Sequence, residues 1–235
     1  MLNRTMQKVG IAQAFFSPNL IHIEEGAIAK APDGGAFAAA FREGYIGLGY
    51  NTKLMTKEQI PKTYADLLDP KWKGKMPIAG GGTGSDWMGT ILTARGEGFV
   101  KQLAGQGFQV HMVSASAIID MVIAGEYALS PTIYESHVVL AKKKKAPVDW
   151  FPLEPVHVNV GQIALSRHAH NPHAALLLVD FELSRESAEI HKFVGFNSPR
   201  KDMPDAVTYK RFYGIKSVEE GSEWSDMFKR LFVTK

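Results

Sequence analysis

Met76-Pro77-Ile78-Ala79 followed by Gly80-Gly81-Gly82-Thr83-Gly84-Ser85-Asp86 reads as a short apolar strand running into a glycine turn. From Trp87 to Ala94 the apolar residues Trp87, Met88, Ile91 and Leu92 fall at the spacing of one helix face, so the turn opens a helix. The pattern then repeats. Gln109 to Val113 is extended, Ser114-Ala115-Ser116 is a second turn, and Ile118, Ile119, Met121, Val122 and Ile123 form a second helix that stops at Gly125. Tyr127-Ala128-Leu129 resumes an extended run towards Tyr134. Small hydroxyl residues therefore stand at two helix starts, each after a strand. Free N–H groups and the positive end of the helix dipole gather there, so a pair of such turns can hold an anion.

Outward from that stretch, strands keep alternating with helices, which predicts an α/β fold with largely parallel pairing. Tyr45-Ile46-Gly47-Leu48-Gly49-Tyr50 and Val158-Asn159-Val160-Gly161-Gln162-Ile163-Ala164-Leu165 are extended runs. Their glycines predict a bend or a close backbone approach. Thr63 to Leu68 reads as a short helix with Thr63 and Asp66 as a capping pair. Asn171-Pro172 and Ser184 open two further helices, residues 197 to 215 read as loop, and Val218 to Phe232 reads as a closing amphipathic helix.

Composition excludes several classes. The 235 residues carry 27 basic and 24 acidic side chains, a net charge of +3 that is too even to imply a nucleic-acid partner. The Lys142–Lys145 run suits a solvated helix end. There is no cysteine, hence no disulfide framework or thiolate site. No apolar run approaches the roughly 20 residues of a membrane span. Met1 to Lys8 is charged and lacks a long apolar core, so it does not read as a secretory signal.

The candidate ligand-binding residues are Thr83, Gly84, Ser85, Asp86 and Trp87 at the first turn, Ser114 and Ser116 at the second, and Tyr134. For the hydroxyl and carboxyl residues the plain alternative is an ordinary helix cap. For Tyr134 it is a packed aromatic with its hydroxyl bonded. His168, His170 and His173 are close in sequence but read as a solvated loop. No nucleophile elbow, P-loop lysine or His-Glu-x-x-His motif is present.

Gly49-Tyr50-Asn51-Thr52-Lys53 and the run from Pro61 to Lys75, above all Leu67-Leu68-Asp69-Pro70-Lys71-Trp72-Lys73-Gly74-Lys75, resemble bacterial extracellular solute-binding proteins of ABC transporters, in the branch that includes the ferric-iron-binding proteins. Ala124-Gly125-Glu126-Tyr127, Asn171-Pro172-His173-Ala174-Ala175 and Ser198-Pro199-Arg200 follow in the order that family shows. The resemblance implies a type II periplasmic-binding fold: two α/β lobes, two crossover strands and a small anionic solute, or chelated ferric iron, held between the lobes. Residues 49–161 become lobe 2, and 1–48 with 162–235 a partial lobe 1. The resemblance also implies a membrane permease as partner and a periplasmic or extracellular setting. No cofactor is expected, with ferric iron as a ligand at most. In the iron-binding branch adjacent tyrosines coordinate the metal; here Ile133 precedes Tyr134 and Glu135 follows it, so the pair is broken, and the metal ligand to expect is Tyr134, with Glu135 and His137 as further oxygen and nitrogen donors. Family members usually continue further on the N-terminal side, so lobe 1 is expected to be incomplete and to leave apolar surface for self-association. The competing class is a phosphate-handling transferase on a similar scaffold, which needs a base and a nucleophile near Ser85. An effector domain of a transcriptional regulator is a third, with no DNA-binding helix pair to support it.

Overall fold

The computed structural model describes residues 9–203, 209–214 and 218–234. The expectation for Met1–Lys8 falls outside them. In chain order the elements are β1 (Ala12–Gln13), β2 (Ile28–Lys30), β3 (Ala36–Asn51), β4 (Pro77–Ala79), α1 (Gly82–Arg95), α2 (Glu97–Ala104), β5 (Gln109–His111), α3 (Ala115–Ala124), β6 (Leu129–Tyr134), α4 (Glu135–Lys143), β7 (Val148–Phe151), β8 (Val156–Ile163), β9 (Leu165–Ser166), α5 (Pro172–Glu182), α6 (Arg185–Phe193), β10 (Arg211–Tyr213) and α7 (Val218–Phe228). None of the described helices is long and apolar enough to cross a membrane.

The chain divides into two units, 1–44 with 160–207 and 45–159 with 208–235. It passes from the first to the second within β3 and back within β8, the two glycine-bearing runs. The glycines are explained by close approach. A Cβ on Gly47 would meet the Trp150 indole at 2.5 Å, and one on Gly49 would meet the Ile133 side chain at 2.6 Å. Trp150 thus lies across the β3 backbone and donates its indole N–H to the Ile133 carbonyl at 3.0 Å.

The C-terminal residues correct the expected boundaries, because 208–235 belong with the second unit rather than the first lobe. The cause is side-chain fit. Gly89 and Gly84 of α1 leave notches that Trp224 and Phe228 of α7 fill. Phe232 continues the contact against Trp87 and Phe108. Residues 197–215 are not all loop either, since Arg211–Tyr213 pairs in parallel with Val156–Val158. Pairing is mixed rather than largely parallel: β4–β5 and β8–β10 are parallel, but β3 is antiparallel to β2, β6 and β7. The capping pair forms as read, with Asp66 Oδ2 accepting from the Thr63 N–H at 2.9 Å and Thr63 Oγ1 accepting from the Asp66 N–H at 3.2 Å.

In the first unit, β1 pairs with β9 and β2 with β3, over a core of Phe15, Ile23, Ala36, Ala39, Leu165, Val179 and Leu183. Asn171 makes no side-chain cap for α5, whereas Ser184 caps α6 through the Ser187 N–H. The Arg200 guanidinium ties the unit together. It forks onto Asp202 at 2.9 and 2.8 Å and also donates to Asn19 Oδ1 and to the Leu183 carbonyl beyond the end of α5. Its side chain is 4% exposed. A lysine cannot reproduce that planar fork. Arg200→Lys is therefore expected to cost about 2 kcal/mol, read as a lower urea midpoint at unchanged slope; an unchanged midpoint would contradict it.

Candidate functional site

In the second unit, β4 pairs with β5 from Pro77↔Gln109 to Ala79↔His111. The Ala79 N–H donates to Thr132 Oγ1 on β6 at 3.0 Å. β4 and β5 therefore end together with Thr132 of β6 beside the end of β4, and β4 leads into α1, β5 into α3 and β6 into α4. The carboxyl edge of such a sheet is where open α/β folds bind ligands.

Backbone geometry shapes the first turn. Gly81 has φ +67°, a conformation an L side chain rarely adopts. The Gly80 N–H donates to the His111 carbonyl at 2.7 Å, and a Cβ on Gly80 would meet Met112 Sδ at 2.5 Å. The two turns are thus locked together, while a Cβ on Gly81 or Gly82 would meet only open space. The N–H groups of the first helical turn, at Gly82, Thr83 and Gly84, point out of the helix start by construction. The first turns of α1 and α3 carry no acid, whereas α4 begins with Glu135. An anion is favoured at the α1 and α3 starts and opposed at α4.

Of the residues singled out, Thr83, Ser114, Ser116 and Tyr134 lie along this edge. Thr83 is half-buried, and no described residue hydrogen-bonds to its hydroxyl. Ser114 caps α3 through the Ala117 N–H at 3.4 Å and shares a 2.7 Å hydrogen bond with Ser116, both exposed. Tyr134 ends β6, half-buried, with its ring edge on His137 at 5.3 Å. Burial lowers the pKa of His137, whose Nδ1 has no partner among the described residues.

The others are turned inward. Trp87 is 1% exposed and packs on Phe108 and Phe232, so it is a core residue. Gly84 sits under Phe228 and the Ala79 carbonyl. Ser85 is 5% exposed and donates its hydroxyl back to the Gly81 carbonyl at 2.9 Å. These three do not face the edge with their side chains, because α1 begins at Gly82 and its next residues rotate beneath it.

Asp86 also points inward, towards a histidine that the sequence alone does not single out. His157, on β8 between Val156 and Val158, is 3% exposed. Its Nδ1 lies 2.8 Å from Thr90 Oγ1, and its Nε2 lies 3.8 Å from Asp86 Oδ2. Burial pushes Asp86 up to about 6 and His157 down to about 4. The Asp86-x-x-x-Thr90 spacing on one helix face is the signal available in the sequence, and it needs the β8 partner to acquire meaning.

Among the described residues no group of three histidine, aspartate or glutamate side chains is placed to hold a metal ion. His168, His170 and His173 are all exposed.

Comparison with known proteins bears on this architecture. A family model described as bacterial extracellular solute-binding protein matches residues 6–213. An uncharacterized protein of Haemophilus influenzae is 26% identical over 196 residues, 78% of this chain and 56% of its own length, so the chain spans just over half of that curated relative. Among solved structures, the periplasmic binding protein AfuA from Actinobacillus pleuropneumoniae, with fructose-6-phosphate bound, aligns at TM-score 0.73 and 21% identity over 98% of this chain and 79% of that one. Iron-bound HitA from Pseudomonas aeruginosa aligns at 0.75 and 19% over 98% and 79%. The ferric binding protein from Campylobacter jejuni aligns at 0.73 and 18% over 95% and 79%. At these identities the structural likeness establishes the fold, a periplasmic-binding-protein fold. With the family model covering most of its length, the chain belongs to the bacterial extracellular solute-binding protein family.

Proposed function

We propose that this chain is the solute-capturing component of an ABC import system, working outside the cytoplasmic membrane with a membrane permease as its partner, and that its solute is a small anion. The observation that carries the reading is the sheet edge at which α1 and α3 begin free of acids beside an open Gly81-Gly82 turn. Helix starts of this kind bind phosphate and carboxylate groups. AfuA, with a sugar phosphate bound, supports a phosphate ester as the solute. HitA, with iron bound, supports a ferric chelate as a second reading, for which Tyr134 at the same edge is the candidate contact. An anionic chelate fits better than a bare ion, because among the described residues no group of three histidine, aspartate or glutamate side chains is placed to hold a metal. The transferase alternative lacks support, because Ser85 spends its hydroxyl on the Gly81 carbonyl.

The test is thermal unfolding with inorganic phosphate, sulfate, sugar phosphates and ferric citrate. A ligand at about a hundredfold excess over its Kd adds about 2.7 kcal/mol to stability, a rise of several degrees. Gly82→Asp places an acid at the helix start without a steric cost, since a Cβ there is unopposed. It is expected to raise the melting temperature of the free chain slightly while abolishing the ligand-induced rise. If no anion raises the melting temperature of the unaltered chain, the reading fails.

The chain also self-associates through α5 and α6 in this proposal. Leu177 and Phe193 are 70% and 71% exposed, with Leu178, Phe181 and Ile190 exposed around them. Leu177 and Phe181, and Ile190 and Phe193, share helix faces. Sedimentation velocity is expected to show reversible oligomers that the double variant Leu177→Glu, Phe193→Glu converts to monomer. A monomeric parent chain would refute this.

A further inference from the structure

We propose that Asp86 and His157 hold one proton between them and that this proton couples solute capture at the start of α1 to pH; the coupling rests on the anion reading above. The geometry sets where the protons lie. Thr90 has one hydroxyl hydrogen, and the proposal places it on the Asp86 carbonyl at 2.9 Å. Its oxygen can then only accept from His157, so Nδ1 carries the hydrogen. The bare Nε2 of neutral His157 faces Asp86 Oδ2 across 3.8 Å, beyond hydrogen-bond length, so one further proton resides on one group of the pair at a time. With that proton the pair is neutral, whichever partner holds it. Without it, Asp86 is a carboxylate.

On β10, Phe212 is opposite His157, and the backbone of Gly214 lies on the imidazole, where a Cβ would meet Cε1 at 2.6 Å. Flanking Phe212, Arg211 reaches the Tyr45 hydroxyl and lies over the Tyr213 ring. From α7 the side chains against α1 are Trp224 and Phe228, while Glu223 and Asp226 are exposed. From β6 the neighbouring polar group is the Thr132 hydroxyl, already bonded to the Ala79 N–H. Among the described residues no third ionisable side chain acts on either group, and burial dominates both shifts.

Asp86 lies four residues beyond the start of α1, about 6 Å along the helix axis. Its carboxylate there opposes an anion at the Gly82 N–H group, and the shared proton removes that opposition. By linkage, an anion that binds more tightly to the protonated pair must draw a proton from solvent as it binds. Affinity is expected to rise about tenfold when pH falls from about 7.5 to about 5.

Two measurements separate the parts. The first uses the ligand-free chain, with nitrogen-15 in histidine and carbon-13 in aspartate. His157 is expected to show the Nδ1–H tautomer, and the Asp86 carboxyl to titrate about two units above an ordinary aspartate. An Nε2–H tautomer or an ordinary carboxyl titration overturns the shared proton. The second is calorimetric titration with sulfate, which does not itself titrate in this range, across the same pH interval. The tightening on acidification is expected in the unaltered chain and is expected to be lost in Asp86→Asn, which binds at the low-pH affinity throughout. Equal pH slopes in the two chains overturn the coupling. No sulfate binding at any pH overturns the coupling, while the thermal-unfolding series decides the anion reading and the first measurement decides the proton.

Discussion

Replacing Gly89 by alanine is expected to destabilise the second unit by about 3 kcal/mol, although alanine is the better helix former by about 1 kcal/mol. The added Cβ would lie 1.9 Å from Trp224 Cε3 and 2.1 Å from Cδ2. An indole is rigid, and Trp224 is 4% exposed in the same core as Met88, Ile91 and Phe228, so it has nowhere to turn. Relief requires α7 to lift from α1, which uncovers Phe228 and Phe232 as well. The sign should reverse when the obstacle is removed. In a Trp224→Leu background the same Gly89→Ala change is expected to cost nothing or to stabilise by a few tenths of a kcal/mol, as an ordinary glycine-to-alanine change in a helix does. Denaturant unfolding of the four chains in that cycle measures the coupling. Additive effects of the two substitutions would mean that α1 and α7 do not meet as described.

What was legible in the sequence follows from how local its cause is. The Gly80–Gly82 turn could be read because a positive φ at Gly81 leaves a glycine in the chain. The glycines of β3 announced a close approach, and Trp150 and Ile133 supply it. The Thr63–Asp66 cap needs only four consecutive residues. The family could be read from the Leu67–Lys75 motif, and the type of fold came with it. What could not be read depends on phase and on distant partners. An apolar period places Trp87 on a helix face, but α1 is buried on nearly every side, so no period says which residues meet the ligand edge and which meet α7. Ser85 and Trp87 were therefore indistinguishable from Thr83 by type alone. Residues 208–235 move from one unit to the other because Trp224 finds Gly89, a contact 135 positions away in the chain that no local pattern encodes. β10 is only three residues long and is a strand solely because β8 is beside it.

The second large effect concerns the pair of buried ionisable groups in that unit. Asp86→Asn and His157→Gln are expected to tilt the dependence of stability on pH in opposite directions, each by about 3 kcal/mol over the interval from about pH 6.5 to about pH 4. His157 is buried neutral, and its pKa falls from 6.5 to about 4 on folding. The stability it contributes is complete above its unfolded value and is lost as pH falls through the folded one. Asp86 is the reverse case, raised from 3.8 to about 6. Its contribution is complete below its unfolded value and is lost as pH rises through the folded one. In the unaltered chain the two arms cover nearly the same interval and offset one another, so the pair leaves almost no trace in the pH profile. Asp86→Asn keeps only the histidine arm, and stability should fall on acidification relative to the unaltered chain. His157→Gln keeps only the aspartate arm, and stability should rise. Differences from the unaltered chain are the quantities to read, because Asp66, Asp69 and Asp202, held low by hydrogen bonds or an arginine, weaken every variant alike in acid. Urea unfolding at half-unit pH steps resolves the two slopes. Profiles that run parallel to the unaltered chain in both variants would show that Asp86 and His157 are ordinary solvated groups, and the proton shared beneath α1 would go with them.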